Sequence, residues 1–243
     1  MNDHDIIAKS WRGKHLSVNI LFSSAGIAQQ IAVENDKGWI LVDCGDGALR
    51  DLRENKIDRR KLAGIIFTHG HFDHMGGLHT LLGFLRMIGR ENDLPILIPA
   101  GCREVIGTVE NFNQVYSGSI PFKIDLTEAK SDRVYEIAGM NIEPFDVYHC
   151  GSIEGGAALD RIPAFGYRIT YKGQSIAISG DTGDCPGLRE MVNGADLAII
   201  EATFAKSSEA TEEELKKVHL SEDLAAEIGS GAREYILVHR GRR

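Results

Sequence analysis

The sequence predicts an α/β protein. Three observations carry that prediction: short apolar runs alternate with helical patterns, Gly-rich turns separate them, and polar residues recur just past the ends of the apolar runs. Val18 to Phe22, Gln30 to Glu34 and Trp39 to Val42 read as strands, the last two joined through Asn35-Asp36-Lys37-Gly38 as a hairpin. Asp43-Cys44-Gly45-Asp46-Gly47 breaks the pattern before a helical stretch, Ala48 to Asn55. Ile65 to Thr68 reads as a strand, and a helix follows from about His74 to Gly89, with Leu78, Leu81, Leu82 and Leu85 at helical spacing. Pro95 to Ala100 is a strand and Arg103 to Phe112 a helix. The rhythm then repeats. Arg133 to Ile137, Met140 to His149, Ala164 to Tyr171 and Ser175 to Ser179 read as strands, Leu188 to Asn193 as a helix and Asp196 to Glu201 as a strand. A helix from Ser221 to Ser230 and a strand from Glu234 to His239 close the chain. No repeat, low-complexity tract or linker separates the parts. Two β-rich halves, roughly residues 16–135 and 136–243, are therefore expected to pack as one domain over residues 1–243.

A formal net charge of −8 argues against a general nucleic-acid binder, which would show a basic face, while leaving room for a local basic patch. The N-terminus lacks the apolar core of a signal peptide, and no apolar run approaches the length of a membrane span. Cys44, Cys102, Cys150 and Cys185 lie far apart without a CxxC pair, as reduced thiols of a cytoplasmic protein do.

The chemistry concentrates in THGHFDHMGG, Thr68 to Gly77, directly after an apolar run. His69 and His71 are two apart, so in extended backbone they face the same side. Asp73 and His74 follow where a helix should begin, which turns a second pair of ligands toward the first. Imidazole and carboxylate donors without cysteine suit Zn²⁺, with Mn²⁺ and Fe²⁺ behind it, and speak against a purely structural site. A single histidine here would read as the polar start of a helix; four potential ligands in six positions do not. Further ligands are expected at other strand ends, and His149, Asp181 and His239 each close or follow an apolar strand.

THGHFDHMGG, the lone His149, the Gly180-Asp181-Thr182 turn and the late His239 resemble the landmarks of the metallo-β-lactamase superfamily, spread from about Val18 to His239. The resemblance implies an αββα four-layer sandwich with two divalent metal ions at one edge. It places His69, His71 and His149 on the first metal, Asp73, His74 and His239 on the second, and Asp181 between them. In some relatives the aspartate at the position of Asp73 also orients the nucleophilic water.

Three stretches narrow the branch. LVDCGDGALRDL (Leu41 to Leu52), ADLAIIEATF (Ala195 to Phe204) and HLSEDLAAEI (His219 to Ile228) are similar to segments of ribonuclease Z. That resemblance implies phosphodiester hydrolysis by a hydroxide shared between the metals, with Glu201 and His219 as a pair that protonates the leaving alkoxide. A histidine titrates near working pH, and a carboxylate behind it raises its pKa and fixes its orientation. Family habit also implies a homodimer.

The departures argue against tRNA as substrate. Only 31 residues separate His149 from Asp181, too few for the long tRNA-gripping arm. The glycine-rich turn after the first strand is replaced by Ser23-Ser24-Ala25-Gly26-Ile27, and Ile200 stands where a histidine often precedes the glutamate. A small phosphodiester or a short nucleic acid is the expected substrate. The alternatives are a lactone, thioester or other carbonyl ester at the same metals, and a structural or redox metal protein. Smaller signals are the polar stretch Gly151 to Arg161 as a pocket border, the terminal Arg240, Arg242 and Arg243 as phosphate contacts, and Cys150 as a small buried residue.

Overall fold

The computed structural model describes residues 6–151 and 160–241 of the chain. The eight residues inside the Gly151 to Arg161 stretch, and Arg242 and Arg243, lie outside the described residues. The first half supplies strands β1 (Ile6–Arg12), β2 (Ser17–Ser24), β3 (Ala28–Asn35), β4 (Gly38–Val42), β5 (Leu62–Ile66), β6 (Leu94–Pro99) and β7 (Ile124–Ala129). They form a seven-stranded sheet in sequence order, antiparallel from β1 to β4 and parallel from β4 to β7. Helices α1 (Ala48–Glu54), α2 (Phe72–Met75), α3 (Leu78–Met87) and α4 (Arg103–Val115) belong to this half.

The second sheet is built from β8 (Tyr135–Ile137), β9 (Met140–Asp146), β10 (Phe165–Tyr171), β11 (Gln174–Ile178), β12 (Leu197–Glu201) and β13 (Glu234–Val238). Its order is β13-β12-β11-β10-β9-β8, parallel over β11 to β13 and antiparallel elsewhere. Helices α5 (Pro186–Val192), α6 (Glu212–Lys217) and α7 (Glu222–Gly229) go with it.

Side-chain alternation along the strands makes the layers. Ile31, Val33, Ile40, Val42 and Ile66 of the first sheet meet Ile142, Tyr167, Ile169, Ile176, Ile178 and Ile199 of the second, in one core cluster between the sheets. The other face of the first sheet, with Leu41, Ile65 and Phe67, is covered by Leu52, Leu81, Leu82, Leu85, Val109 and Phe112 of its helices. Ala177, Ala198 and Ile200 of the second sheet pack on Leu188, Met191, Ala225 and Ile228. Strands buried on both faces read as continuous apolar runs, which is why β4, β5 and β12 stand out in the sequence. The outcome is an αββα sandwich, closed at one side by the Trp11 indole donating to Glu234 across the two edge strands, at 2.9 Å.

Several expected boundaries shift. The helix read from His74 to Gly89 is two helices, broken at Gly76-Gly77, because the Gly77 amide turns to the Cys44 carbonyl at 2.9 Å and a Cβ at Gly77 would collide with the Gly45 carbonyl. The strand read to His149 stops at Asp146; Tyr148 and Cys150 make only isolated bridges, to Gly183 and Arg161. α6, between β12 and α7, has no counterpart among the expected elements; it is started by a capping box between Thr211 and Glu214. β1 and β7 are edge strands of the first sheet, with too little apolar alternation to be read from the sequence. No helix among the described residues is long and apolar enough to cross a membrane.

One buried bond ties the two sheets beneath the His69 loop: the Tyr167 hydroxyl of β10 donates to the Phe67 carbonyl at 2.8 Å, with Tyr167 wholly buried. Tyr167→Phe strands that carbonyl without its donor, and should cost about 1–3 kcal/mol. Urea unfolding should show a lower midpoint at unchanged slope; an unchanged midpoint would mean the bond contributes nothing.

Candidate metal centre

Most polar residues of the centre sit where a strand gives out. β4 is followed by Asp43, β5 by Thr68, His69 and His71, β9 by His149, β11 by Asp181 and β13 by His239, while Glu201 is the last residue of β12. These strands run in the same direction, so their C-terminal ends share one edge of the sandwich. His71 is the N-cap residue of α2, whose single turn presents Asp73 and His74. Asp181 is delivered by a tight turn at Gly180, with φ 60°, where a Cβ would stand 2.6 Å from the Thr68 Cβ. The two ligand-bearing turns therefore press on one another, and only glycine fits between. His239 itself takes φ 51° directly after β13, and its amide donates to the Ser23 hydroxyl at 2.8 Å.

The structure brings all seven residues expected as metal ligands together. One ligand atom from each of His69, His71, His149 and Asp181 lies within 4.8 Å of the others, and Asp73, His74 and His239 form a second such group. His71 Nδ1 and His149 Nε2 approach to 3.2 Å, and so do His74 Nε2 and His239 Nε2. Asp181 Oδ1 stands 3.3 Å from both His74 Nε2 and His239 Nδ1.

The back sides of the rings explain their orientation. His74 Nδ1 donates to Asp43 Oδ2 at 2.8 Å and His149 Nδ1 to the Val218 carbonyl at 2.8 Å, which leaves each Nε2 facing inward. The Thr68 hydroxyl donates to Asp43 Oδ2 at 2.9 Å and is 3.1 Å from His69 Nδ1, which donates to it. Inward-facing His69 Nε2 and Asp181 Oδ1 are buried and have no hydrogen-bond partner. Unsatisfied lone pairs that converge in a buried pocket call for cations, so the donor set fits divalent metal.

Protonation agrees. Burial pushes the His69 and His71 imidazoles below their usual range and takes His149 down to about 3, keeping all three in the neutral, ligating form. Burial also disfavours the ionised Asp181, yet His239 and His74 outweigh it and hold the carboxyl well below its usual range. His74 runs the other way: burial is outweighed by Asp181 and Asp43, which lift its pKa. Among the described residues no thiol joins a ligand group, and burial pushes both Cys44 and Cys150 upward.

Glu201 and His219 stand beside this cluster. Glu201 is fully buried. Its Oε1 accepts from His219 Nδ1 at 2.9 Å and from the Thr182 amide at 3.1 Å, and its Oε2 from the Thr203 amide and hydroxyl at 3.0 and 2.9 Å. With all four acceptor positions used, the carboxylate cannot swing. Burial opposes charge on His219, but Glu201 outweighs it and raises the pKa to about 9. His219 keeps 15% of its side chain exposed and lies 5.1 Å, centroid to centroid, from His149. Its place depends on α6, whose end is pinned by the Cys150 amide on the Lys217 carbonyl at 2.9 Å.

Asp43, Thr68, Thr182 and Thr203 went unassigned in the sequence. Asp43 carries the same signal as the ligands, a polar residue directly after a buried strand; the threonines carry none. Arg240 pairs with Glu222 at 3.3 Å. Cys150 is buried, as expected.

With this geometry in hand, comparison with known proteins is decisive for the family. Residues 38–239 match the sequence model described as Beta-lactamase superfamily domain. The chain belongs to this superfamily. Among curated relatives, the ribonuclease Z of Ignicoccus hospitalis is 28% identical over 236 residues, covering 82% of this chain and 77% of that protein. That of Bacteroides fragilis is 25% identical over 240 residues, covering 82% of this chain and 78% of its own. Among solved structures, the short form of human tRNase Z superposes with a TM-score of 0.75 at 22% identity, covering 93% of each chain. The metallo-beta-lactamase fold protein YhfI of Bacillus subtilis gives 0.73 at 20% identity, covering 95% of this chain and 88% of that one. Superfamily membership and the αββα sandwich thus agree with each other.

Asp43→Asn tests how much the orienting carboxylate matters. Losing its charge behind His74 should weaken metal retention about 10–100-fold, with the fold intact. Metal content after titration with a competing chelator reads this directly; retention equal to the parent protein's would show that Asp43 does not tune the cluster.

Proposed function

We propose that this chain is a metal-dependent phosphodiesterase of the ribonuclease Z type. His69, His71 and His149 would hold one divalent ion, Asp73, His74 and His239 a second, and Asp181 would be shared. Nitrogen and oxygen donors without thiolate favour Zn²⁺. When bound, such ions supply Lewis acidity toward a phosphoryl oxygen and acidify a water molecule.

The observation that carries the reading is the Glu201–His219 pair. It borders the donor cluster, where His219 also groups with Asp181 and His239 within 4.8 Å, and its geometry is that of a general acid with an orienter: Nδ1 is committed to Glu201 at 2.9 Å, so Nε2 is the proton-bearing atom offered to a leaving group. A phosphodiester with an alkoxide leaving group needs such a proton. Asp73 Oδ2, which accepts from the Gly26 amide at 2.9 Å and stands 3.2 Å from His239 Nε2, is fixed well enough to orient a water as well as a metal. The relatives named ribonuclease Z support the same assignment. A short phosphodiester fits better than tRNA, because β10 and β11 occupy much of the interval between His149 and Asp181. Four free cysteines suit a reducing compartment, and we place the activity in the cytoplasm.

Protein loaded with Zn²⁺ or Mn²⁺ should hydrolyse bis(p-nitrophenyl) phosphate, and Asp181→Ala should lose at least about 100-fold of kcat/KM because it removes the group shared by both ion positions. No turnover by the fully metallated protein would move the assignment to carbonyl esters.

A further inference from the structure

His69, His74 and His149 are each turned by a partner behind the ring, and His239 has one as well. Its Nδ1 is 3.3 Å from the Thr203 hydroxyl, which leaves Nε2 facing His74 Nε2 and Asp73 Oδ2, both at 3.2 Å. Asp181 Oδ1 is equally near Nδ1, at 3.3 Å, yet it makes no hydrogen bond. Thr203 is therefore the acceptor that fixes the Nδ1–H tautomer of His239. The Nε2 lone pair is then free to join Asp73 and His74, the two residues grouped with His239.

The same hydroxyl also serves the acid pair. It donates to Glu201 Oε2 at 2.9 Å, and Glu201 Oε1 accepts from His219 Nδ1 at 2.9 Å. The His239 carbonyl, at 3.1 Å, is the weaker acceptor for that proton, being neutral and farther away. A continuous run of hydrogen bonds thus joins His239, Thr203, Glu201 and His219. Thr203 gives its one proton to the carboxylate and a lone pair to the imidazole.

Backbone geometry holds Thr203 in this place. β12 and β13 are parallel, with Glu201 opposite Val238. The pairing runs on past both strand ends, from the Ala202 amide to the Val238 carbonyl at 2.9 Å and from the Gly241 amide to the Thr203 carbonyl at 3.0 Å. Thr203 and His239 are clamped side by side, and a β-branched side chain there has few rotamers to choose from. The Thr203 amide also donates to Glu201 Oε2, at 3.0 Å, so loss of the hydroxyl leaves that oxygen with one bond fewer, not with none.

We propose that Thr203 is a positioning residue shared by the second ion and the general acid. One hydroxyl sets the tautomer of a metal ligand and the aim of His219, so the two parts of the site are assembled together. The role at the acid rests on the phosphodiesterase reading; the role at the ion does not. Without the hydroxyl, the nearest other acceptor for His239 Nδ1–H is Asp181 Oδ1. A bond there would take a lone pair from the ligand proposed to be shared by both ions.

Thr203→Val, which keeps the β-branched shape, and Thr203→Ser, which keeps the hydroxyl, test this in the zinc-loaded full chain. Titration with a competing chelator counts the retained ions, NMR of the histidine side chains reports the tautomer of His239, and a leaving-group series reads the acid. Thr203→Val should release one of the two ions at least about tenfold more readily and lose the single Nδ1–H tautomer of His239. With zinc saturating, its ratio of kcat/KM for alkoxide over p-nitrophenolate leaving groups should fall about tenfold, since Glu201 keeps its charge and loses one hydrogen bond. Thr203→Ser should restore retention, tautomer and ratio. Ion retention equal to the parent's in Thr203→Val would overturn the proposal, as would equal loss of both ions or a serine variant no better than the valine one. So would weakened retention with an unchanged ratio, which would leave ion and acid uncoupled. If the parent turns over no phosphodiester, the phosphodiesterase reading falls, while the chelator titration and histidine spectra still decide whether Thr203 holds His239 for the ion.

Discussion

Asp181 buries a carboxylate among imidazoles at 2% exposure, where an uncompensated charge would cost several kcal/mol. Its Oδ1 and His69 Nε2 have no hydrogen-bond partner, and two pairs of ring nitrogens approach to 3.2 Å. Such an arrangement is tolerable only if cations complete it, and much of the surrounding structure can be understood as holding those lone pairs in place. Asp43, Thr68 and the Val218 carbonyl take up the outward ring nitrogens of His74, His69 and His149. Gly180 lets two ligand turns touch. Asp43 accepts a strained φ of 59° to reach both His74 and Thr68.

The sandwich provides the stiffness this requires. Parallel β4 and β5 in one sheet, and β11 to β13 in the other, end along the same edge, and each strand is locked by apolar packing on both faces. A ligand at the end of a buried strand inherits the precision of the core, whereas a loop would have to find it alone. His219 is the exception, since it follows the surface helix α6. That helix is secured by its capping box and by the backbone bond from Cys150.

Most of the fold and the donor set could be read from the sequence because the strands are apolar runs and each ligand follows one. HxHxDH is dense enough to be legible alone, and His149, Asp181 and His239 gain meaning from their common placement. What stayed hidden has physical reasons. Nothing local marks Gly76-Gly77 as a helix break, because the cause is the distant Cys44-Gly45 loop seated against it. β1 and β7 are edge strands with weak alternation. Thr182 and Thr203 act on Glu201 through contacts that only the folded chain creates.

The central claim is that His219, aimed by Glu201, delivers the proton that an alkoxide leaving group needs. A leaving-group series on the metal-loaded protein and on His219→Ala measures it most directly, with kcat/KM plotted against leaving-group pKa. The account predicts that the variant nearly matches the parent for p-nitrophenolate and falls behind by about 10²–10⁴-fold for alkoxides, a steepened slope. A uniform loss across the series would contradict it and leave His219 with no role as an acid.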